Sequence, residues 1–163
     1  MKKTAQLVIT LMTVLVSLSV SAGRLSYPTS PDRSMTPGSL CNRPSEYRYP
    51  EKIAYCDRDV SSSLKWQIIE EYNRKLGFSI QAKDRGQFKI DHLIPLCAGG
   101  SNNPDNLWPQ HESVYTKTDE LEATACEKMK EGRLTQRAAI DLLMEAKMAP
   151  FQAHEILKKI NAL

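Results

Sequence analysis

The sequence predicts an α+β domain: a short β-hairpin packed on a helix, further helices on its flanks, and a proline-rich arm ahead of it. Three observations predict this. Apolar residues recur at helical spacing from Leu64 through Ile68, Ile69 and Tyr72, and helical patterns resume beyond Glu112. Between these stretches a compact run, Phe88 to Leu96, is separated by the turn cluster Gly99-Gly100-Ser101-Asn102-Asn103 from a second short run, Asn106-Leu107-Trp108. Residues 23–50 carry prolines at 28, 31, 37, 44 and 50, which no regular helix tolerates.

The elements follow in chain order. Met1-Lys2-Lys3, an apolar run from Leu7 to Val20 and the small residues Ser21-Ala22 have the order of a secretory leader, residues 1–22. A membrane anchor is the competing reading, but the apolar run is shorter than the ~20 residues a helix needs to span a bilayer. Export to the periplasm or medium is therefore expected, with no stable membrane association after cleavage. The remaining residues, 23–163, suffice for one compact domain. The 22 basic residues include Lys2 and Lys3, so without the leader the excess over 19 acidic residues shrinks to about one. Overall charge then says little about nucleic acid, and any such argument must come from local clusters.

Residues 23–60 read as an extended arm pinned to the body through Cys41, and residues 61–163 as the main domain, its centre at 87–131. Four cysteines in an exported chain favour disulfides. Of three possible pairings, Cys41–Cys56 and Cys97–Cys126 each close a loop of modest length around one unit. A structural zinc site is disfavoured, because no pair has the close spacing such sites use.

Ser61 to Ser63 offer N-caps for a helix running to Leu76, with Gly77 as its stop. Phe88 to Leu96 reads as a strand, and Asn106-Leu107-Trp108 as its return, ended by Pro109. A helix from Glu112 to Lys130 ends before Gly132. Thr135 caps another to about Lys147, and Pro150 opens a last one from Phe151 to Ile160.

The run Ile90-Asp-His-Leu-Ile-Pro-Leu-Cys-Ala-Gly-Gly-Ser-Asn-Asn-Pro-Asp-Asn-Leu-Trp-Pro-Gln-His111, followed by Asp119-Glu120-Leu121-Glu122, resembles the HNH (ββα-metal) endonucleases, especially a group of secreted bacterial HNH-like proteins. The shared features are Asp-His, an apolar-Pro-apolar continuation, Gly-Gly-Ser-Asn, and Asn-Leu fourteen residues after the histidine. The resemblance covers about 30 residues closely, with a vaguer likeness around Tyr49-Pro50, Cys56, Arg58 and Lys65. It implies a ββα-metal core within the α+β domain, a single divalent ion (Mg²⁺ or Mn²⁺ ahead of Zn²⁺), and hydrolysis of nucleic acid.

The residue types suit that chemistry. A neutral imidazole with a pKa near 6.5 can take a proton from water near neutral pH, which is the role implied for His92. Asp91 supplies a hard anionic oxygen for a cation that would offset charge on the phosphate. Neighbouring strand residues point to opposite faces, so both can serve one site only where the strand is distorted or ends. Asn106 matches the middle asparagine of the pattern, with an expected role in shaping the loop and so orienting His92. Its plainer alternative is a turn residue bonded to its own backbone.

The third motif position is a departure. Nine residues after Asn106 stands Tyr115, a poor ligand for a hard cation. His111, then Asp119, then Glu122 are the substitutes; His111, Tyr115 and Glu122 share one helical stripe, with Asp119 at its margin.

Arg74, Lys75, Lys83, Arg85 and Lys89 cluster before the Asp-His strand, and Arg85 and Lys89 are the candidates for phosphate contact. The alternative for this cluster is a solvated face. Trp108 can stack on a base, but a core position beside Leu107 is the stronger expectation. No sequence-reading module is visible, so an endonuclease with little sequence preference is expected, on DNA before RNA and as a monomer before a dimer. Two other readings stay open: an HNH-fold nucleic-acid-binding module without catalysis, and a disulfide-stabilised periplasmic interaction protein in which the Asp-His hairpin is only structural.

Overall fold

A computed structural model describes residues 26–163. The expected leader, residues 1–22, lies outside the described residues. The architecture is α+β: two small antiparallel hairpins and four α-helices, in the order β1 (Glu46–Arg48), β2 (Ile53–Tyr55), α1 (Ser62–Leu76), β3 (Phe88–His92), β4 (Leu107–His111), α2 (Glu112–Lys130), α3 (Gln136–Met148) and α4 (Ala153–Asn161). Among the described residues no helix is long and apolar enough to cross a membrane.

The helices begin and end where local chemistry directs. The Ser61 hydroxyl accepts from the Leu64 N–H at 3.2 Å and starts α1; Gly77, at φ 70°, stops it. Thr135 caps α3 by accepting from the Ala138 N–H at 3.3 Å. Pro150 opens a single 3₁₀ turn before α4 begins at Ala153, slightly later than the sequence suggests.

β3 and β4 pair from Phe88↔His111 to His92↔Leu107, so β4 runs straight through Pro109, contrary to the expected stop. A proline is tolerated there because β4 has a partner on one side only, and an edge strand has ladder positions where no N–H is required. β3 also stops at His92 rather than Leu96; Pro95 and the 3₁₀ turn Leu96–Ala98 carry the chain away.

The ribbon separates two apolar clusters. On one side, Ile68, Ile69 and Tyr72 of α1 pack with Phe88, Ile90 and Leu107. The other is built by the C-terminal helices: Leu121, Ala125 and Met129 of α2, Ala139, Leu143 and Ala146 of α3, and Ile156 and Ile160 of α4. Burying such side chains contributes about 1.5–3 kcal/mol each against the entropy of ordering the chain.

The proline-rich segment is more structured than an extended arm. It contains the β1–β2 hairpin, whose turn holds Tyr49 and Lys52 at φ 62° and 57°. It also adds backbone bonds to the loop after β3: Cys41 N–H to the Gly99 carbonyl at 2.8 Å, and Ser101 N–H to the Ser39 carbonyl at 3.0 Å. Disulfides join Cys41 to Cys56 and Cys97 to Cys126, the pairing expected from loop lengths, and no described cysteine is free.

Candidate functional site

Asp91 and His92 close β3, and the loop that follows is held by Asn106. The Asn106 amide is fully buried: its Oδ1 accepts from the Ile94 N–H at 2.9 Å, and its Nδ2 donates to the carbonyls of Ile94 and Ser101, both at 2.9 Å. The Asn106 carbonyl in turn accepts from the Leu93 N–H at 2.8 Å. Gly100 makes this closure possible, because a Cβ there would stand 1.8 Å from the Ile94 carbonyl oxygen.

The two motif residues face different surroundings. In an antiparallel ribbon, paired residues share a face and successive residues alternate. Phe88, Ile90, His92, Leu107 and His111 therefore share one face, and Lys89, Asp91, Trp108 and Gln110 the other. On the Asp91 face, the Lys147 ammonium from α3 lies 2.8 Å from Asp91 Oδ2, 2.9 Å from Glu122 Oε2 and 2.5 Å from the His92 carbonyl oxygen. Lys147 is 1% exposed and Asp91 7%. Burial pushes the Asp91 carboxyl up, yet Lys147 beside it, with Lys89 beyond, brings it below its ordinary value. Burial acts on Lys147 in the opposite sense and is overcome by Asp91 and Glu122, which raise it. The pair is thus ionised at neutral pH.

His92 is 3% exposed and both its ring nitrogens are engaged. Arg58 donates from Nη1 to His92 Nδ1 at 3.1 Å and from Nη2 to the Ile90 carbonyl at 2.7 Å. A guanidinium only donates, so Nδ1 is the acceptor and Nε2 carries the proton. That proton goes to Asn102 Oδ1 at 3.1 Å, while Asn102 Nδ2 donates to the Asp57 carbonyl at 2.7 Å. Burial is the main reason the imidazole pKa falls to about 4; the Asn102 bond opposes the fall and the Arg58 charge adds to it. His92 is a neutral imidazole fixed in one tautomer.

The remaining expected site residues are dispersed. His111, on the face away from Asp91, accepts from the Ser113 N–H at 3.2 Å as the N-cap of α2 and stacks on Tyr27 with ring centroids 3.8 Å apart. Asp119 is an exposed partner of Lys89 at 2.5 Å. Lys89 also reaches within 3.9 Å of Asp91 Oδ1 and lies over the Tyr115 ring. Arg85 donates to the Phe88 carbonyl. The expected ligand set of Asp91, His111 and Asp119 is therefore not assembled: the strand pleat turns His111 away, and lysines neutralise both carboxylates. A divalent ion at Asp91 would have to displace the Lys147 ammonium, so these residues do not fit that metal as arranged. The expected phosphate contacts at Arg85 and Lys89 are likewise occupied by partners within the chain.

Three residues to which the sequence assigned no role at the site organise it: Arg58 and Asn102, which lie in the stretches that carry the resemblance, and Lys147. Lys147 had a visible signal, since it interrupts the apolar stripe Ala139, Leu143 and Ala146 on α3. Trp108 is fully buried, as its core reading required. Comparison of the chain with protein-family models, curated proteins and solved structures finds no match.

Proposed function

We propose that this chain is an exported phosphodiester hydrolase acting on nucleic acid, DNA before RNA, with little sequence preference and with His92 as its base. The observation that carries the reading is the joint placement of Asp91-His92 at a strand end, a loop tied by Asn106, and a helix following directly on the return strand. This is the order the HNH resemblance implies, and two disulfides suit an oxidising compartment.

The geometry suggests how substrate would release the base. Arg58 is an exposed residue whose guanidinium is shared between His92 and the Ile90 carbonyl. A phosphate is a stronger partner for guanidinium than a neutral imidazole, because that bond is charge-assisted and bidentate. Drawn toward phosphate, Arg58 frees His92 Nδ1 and removes a charge that opposes its protonation. Nδ1 then takes the proton of a water as its oxygen bonds to phosphorus. The bond to the departing sugar oxygen breaks, and that oxygen takes a proton from solvent. Asn102 keeps the Nε2–H bonded throughout, and no step uses a metal ion.

The test is cleavage of plasmid DNA and of RNA by the oxidised protein, with Mg²⁺, Mn²⁺, Zn²⁺ or EDTA, beside His92→Ala. Cleavage that persists in EDTA and disappears in the variant supports the reading, and cleavage that requires an added metal ion overturns its metal-free step. A folded protein that cuts neither substrate under any condition overturns it. The second reading, a nucleic-acid-binding module without catalysis, is favoured by one observation: both nitrogens of His92 are already bonded. It predicts salt-sensitive DNA binding that His92→Ala leaves intact.

A further inference from the structure

We infer that the Lys147 ammonium is a cation built into the fold at the place where a divalent ion would bind Asp91, and that removing it creates a divalent-cation site. An ammonium has three N–H donors, and three oxygens surround this one at 2.5–2.9 Å, from Asp91, Glu122 and the His92 carbonyl. Two carboxylates and a carbonyl are hard oxygen donors of the kind that Mn²⁺ and Mg²⁺ select. They converge from two elements, β3 with the Asp91 side chain and the His92 carbonyl and α2 with Glu122, on one buried point.

The ammonium fills that point from the side of α3. Its charge offsets one carboxylate and Lys89, 3.9 Å from Asp91 Oδ1, approaches the other side of the same group. Mg²⁺ and Mn²⁺ bind at short oxygen distances and usually keep several waters, for which a site already holding a lysine head group leaves no space. Lys147 is thereby a positioning residue: it fixes the Asp91 side chain and, through the His92 carbonyl, the end of β3. The inference stands or falls independently of whether the chain cuts nucleic acid.

The experiment is a Mn²⁺ titration, read by electron paramagnetic resonance of free Mn²⁺ and by thermal melting, on the oxidised wild type, Asp91→Asn and Lys147→Ala. The wild type is expected to take up no stoichiometric Mn²⁺ that depends on Asp91, and to melt within about a degree with or without 1 mM Mn²⁺. Lys147→Ala is expected to bind one Mn²⁺ and to gain roughly 5 °C or more from it. A purely structural lysine would give no such gain. One equivalent of Mn²⁺ on the wild type, lost in Asp91→Asn, overturns the inference; so does a folded Lys147→Ala that binds none. If Lys147→Ala does not fold alone, refolding it with 1 mM Mn²⁺ decides: native circular dichroism recovered only with the ion supports the inference, and no recovery overturns it.

Discussion

Replacing Asn106 tests whether one amide holds the loop that carries the site. Asn106→Ala removes three buried hydrogen bonds and leaves the Ile94 N–H, the Ile94 carbonyl and the Ser101 carbonyl without them. At about 1–1.5 kcal/mol per bond, counting desolvated groups left behind, the loss is roughly 3–4.5 kcal/mol. For a domain of this size that is a fall of about 10 °C in Tm. Asn106→Asp discriminates further. Its carboxylate can still accept from Ile94 N–H, but its second oxygen faces two carbonyl oxygens where the amide donated, so at pH 7 it should be less stable than Asn106→Ala. Lowering the pH toward 4 protonates that carboxyl and restores a donor, narrowing the gap. Urea unfolding followed by circular dichroism measures all of this. A loss below 1 kcal/mol for Asn106→Ala, or Asn106→Asp the more stable of the two at pH 7, would refute the reasoning.

Four further outcomes are expected. The folded pKa of His92, about 4, lies below its unfolded value near 6.5, so the unfolded chain binds the proton first as pH falls. The associated stability is complete above about pH 6.5 and is lost progressively toward pH 4, about 3 kcal/mol in all, and wild type minus His92→Gln in unfolding experiments should show that slope. Arg58→Gln should raise the imidazole pKa, followed by its proton resonances, because the guanidinium lowers it. Gly100→Ala should prevent loop closure, since its Cβ would meet the Ile94 carbonyl oxygen at 1.8 Å; near-native melting of that variant would contradict the closure described. Replacing Cys97 and Cys126 together by alanine should cost about 3–4 kcal/mol on the chain-entropy model for a separation of 29 residues, read as a shift in the denaturation midpoint.

What was legible in the sequence is what local chemistry decides. Ser61, Thr135, Gly77 and Gly132 mark helix ends by their own backbone preferences, and the apolar stripe of α1 identifies its buried face. The disulfide pairing followed from loop length. The β1–β2 hairpin was hidden because its turn uses Tyr49 and Lys52 at positive φ, where glycine or asparagine would normally announce it. Pro109 misled because its rule concerns paired N–H groups, and only the ribbon's open edge shows that none is needed. The dispersal of Asp91, His111 and Asp119 depends on strand register and on which face each residue takes, and on lysines distant in sequence, none of which residue spacing reveals. Arg58 and Asn102 stand in the stretches that carry the resemblance, but only the fold, by bringing them to opposite nitrogens of His92, gives them a role.

The Asp91–Lys147 contact joins residues 56 positions apart and has a consequence for how the chain matures. A ribosome delivers Asp91 before Lys147, so the Asp91 side of the hairpin is not sealed as it emerges. Until α3 arrives, Asp91 must stay in water or carry a proton, and the ribbon's second face stays open. A fragment cut at residue 131 would hold every motif residue and still lack the counter-charge for its own interior. The segment beyond residue 131, about a fifth of the polypeptide, bears none of the signature yet supplies the counter-charge that latches its shape.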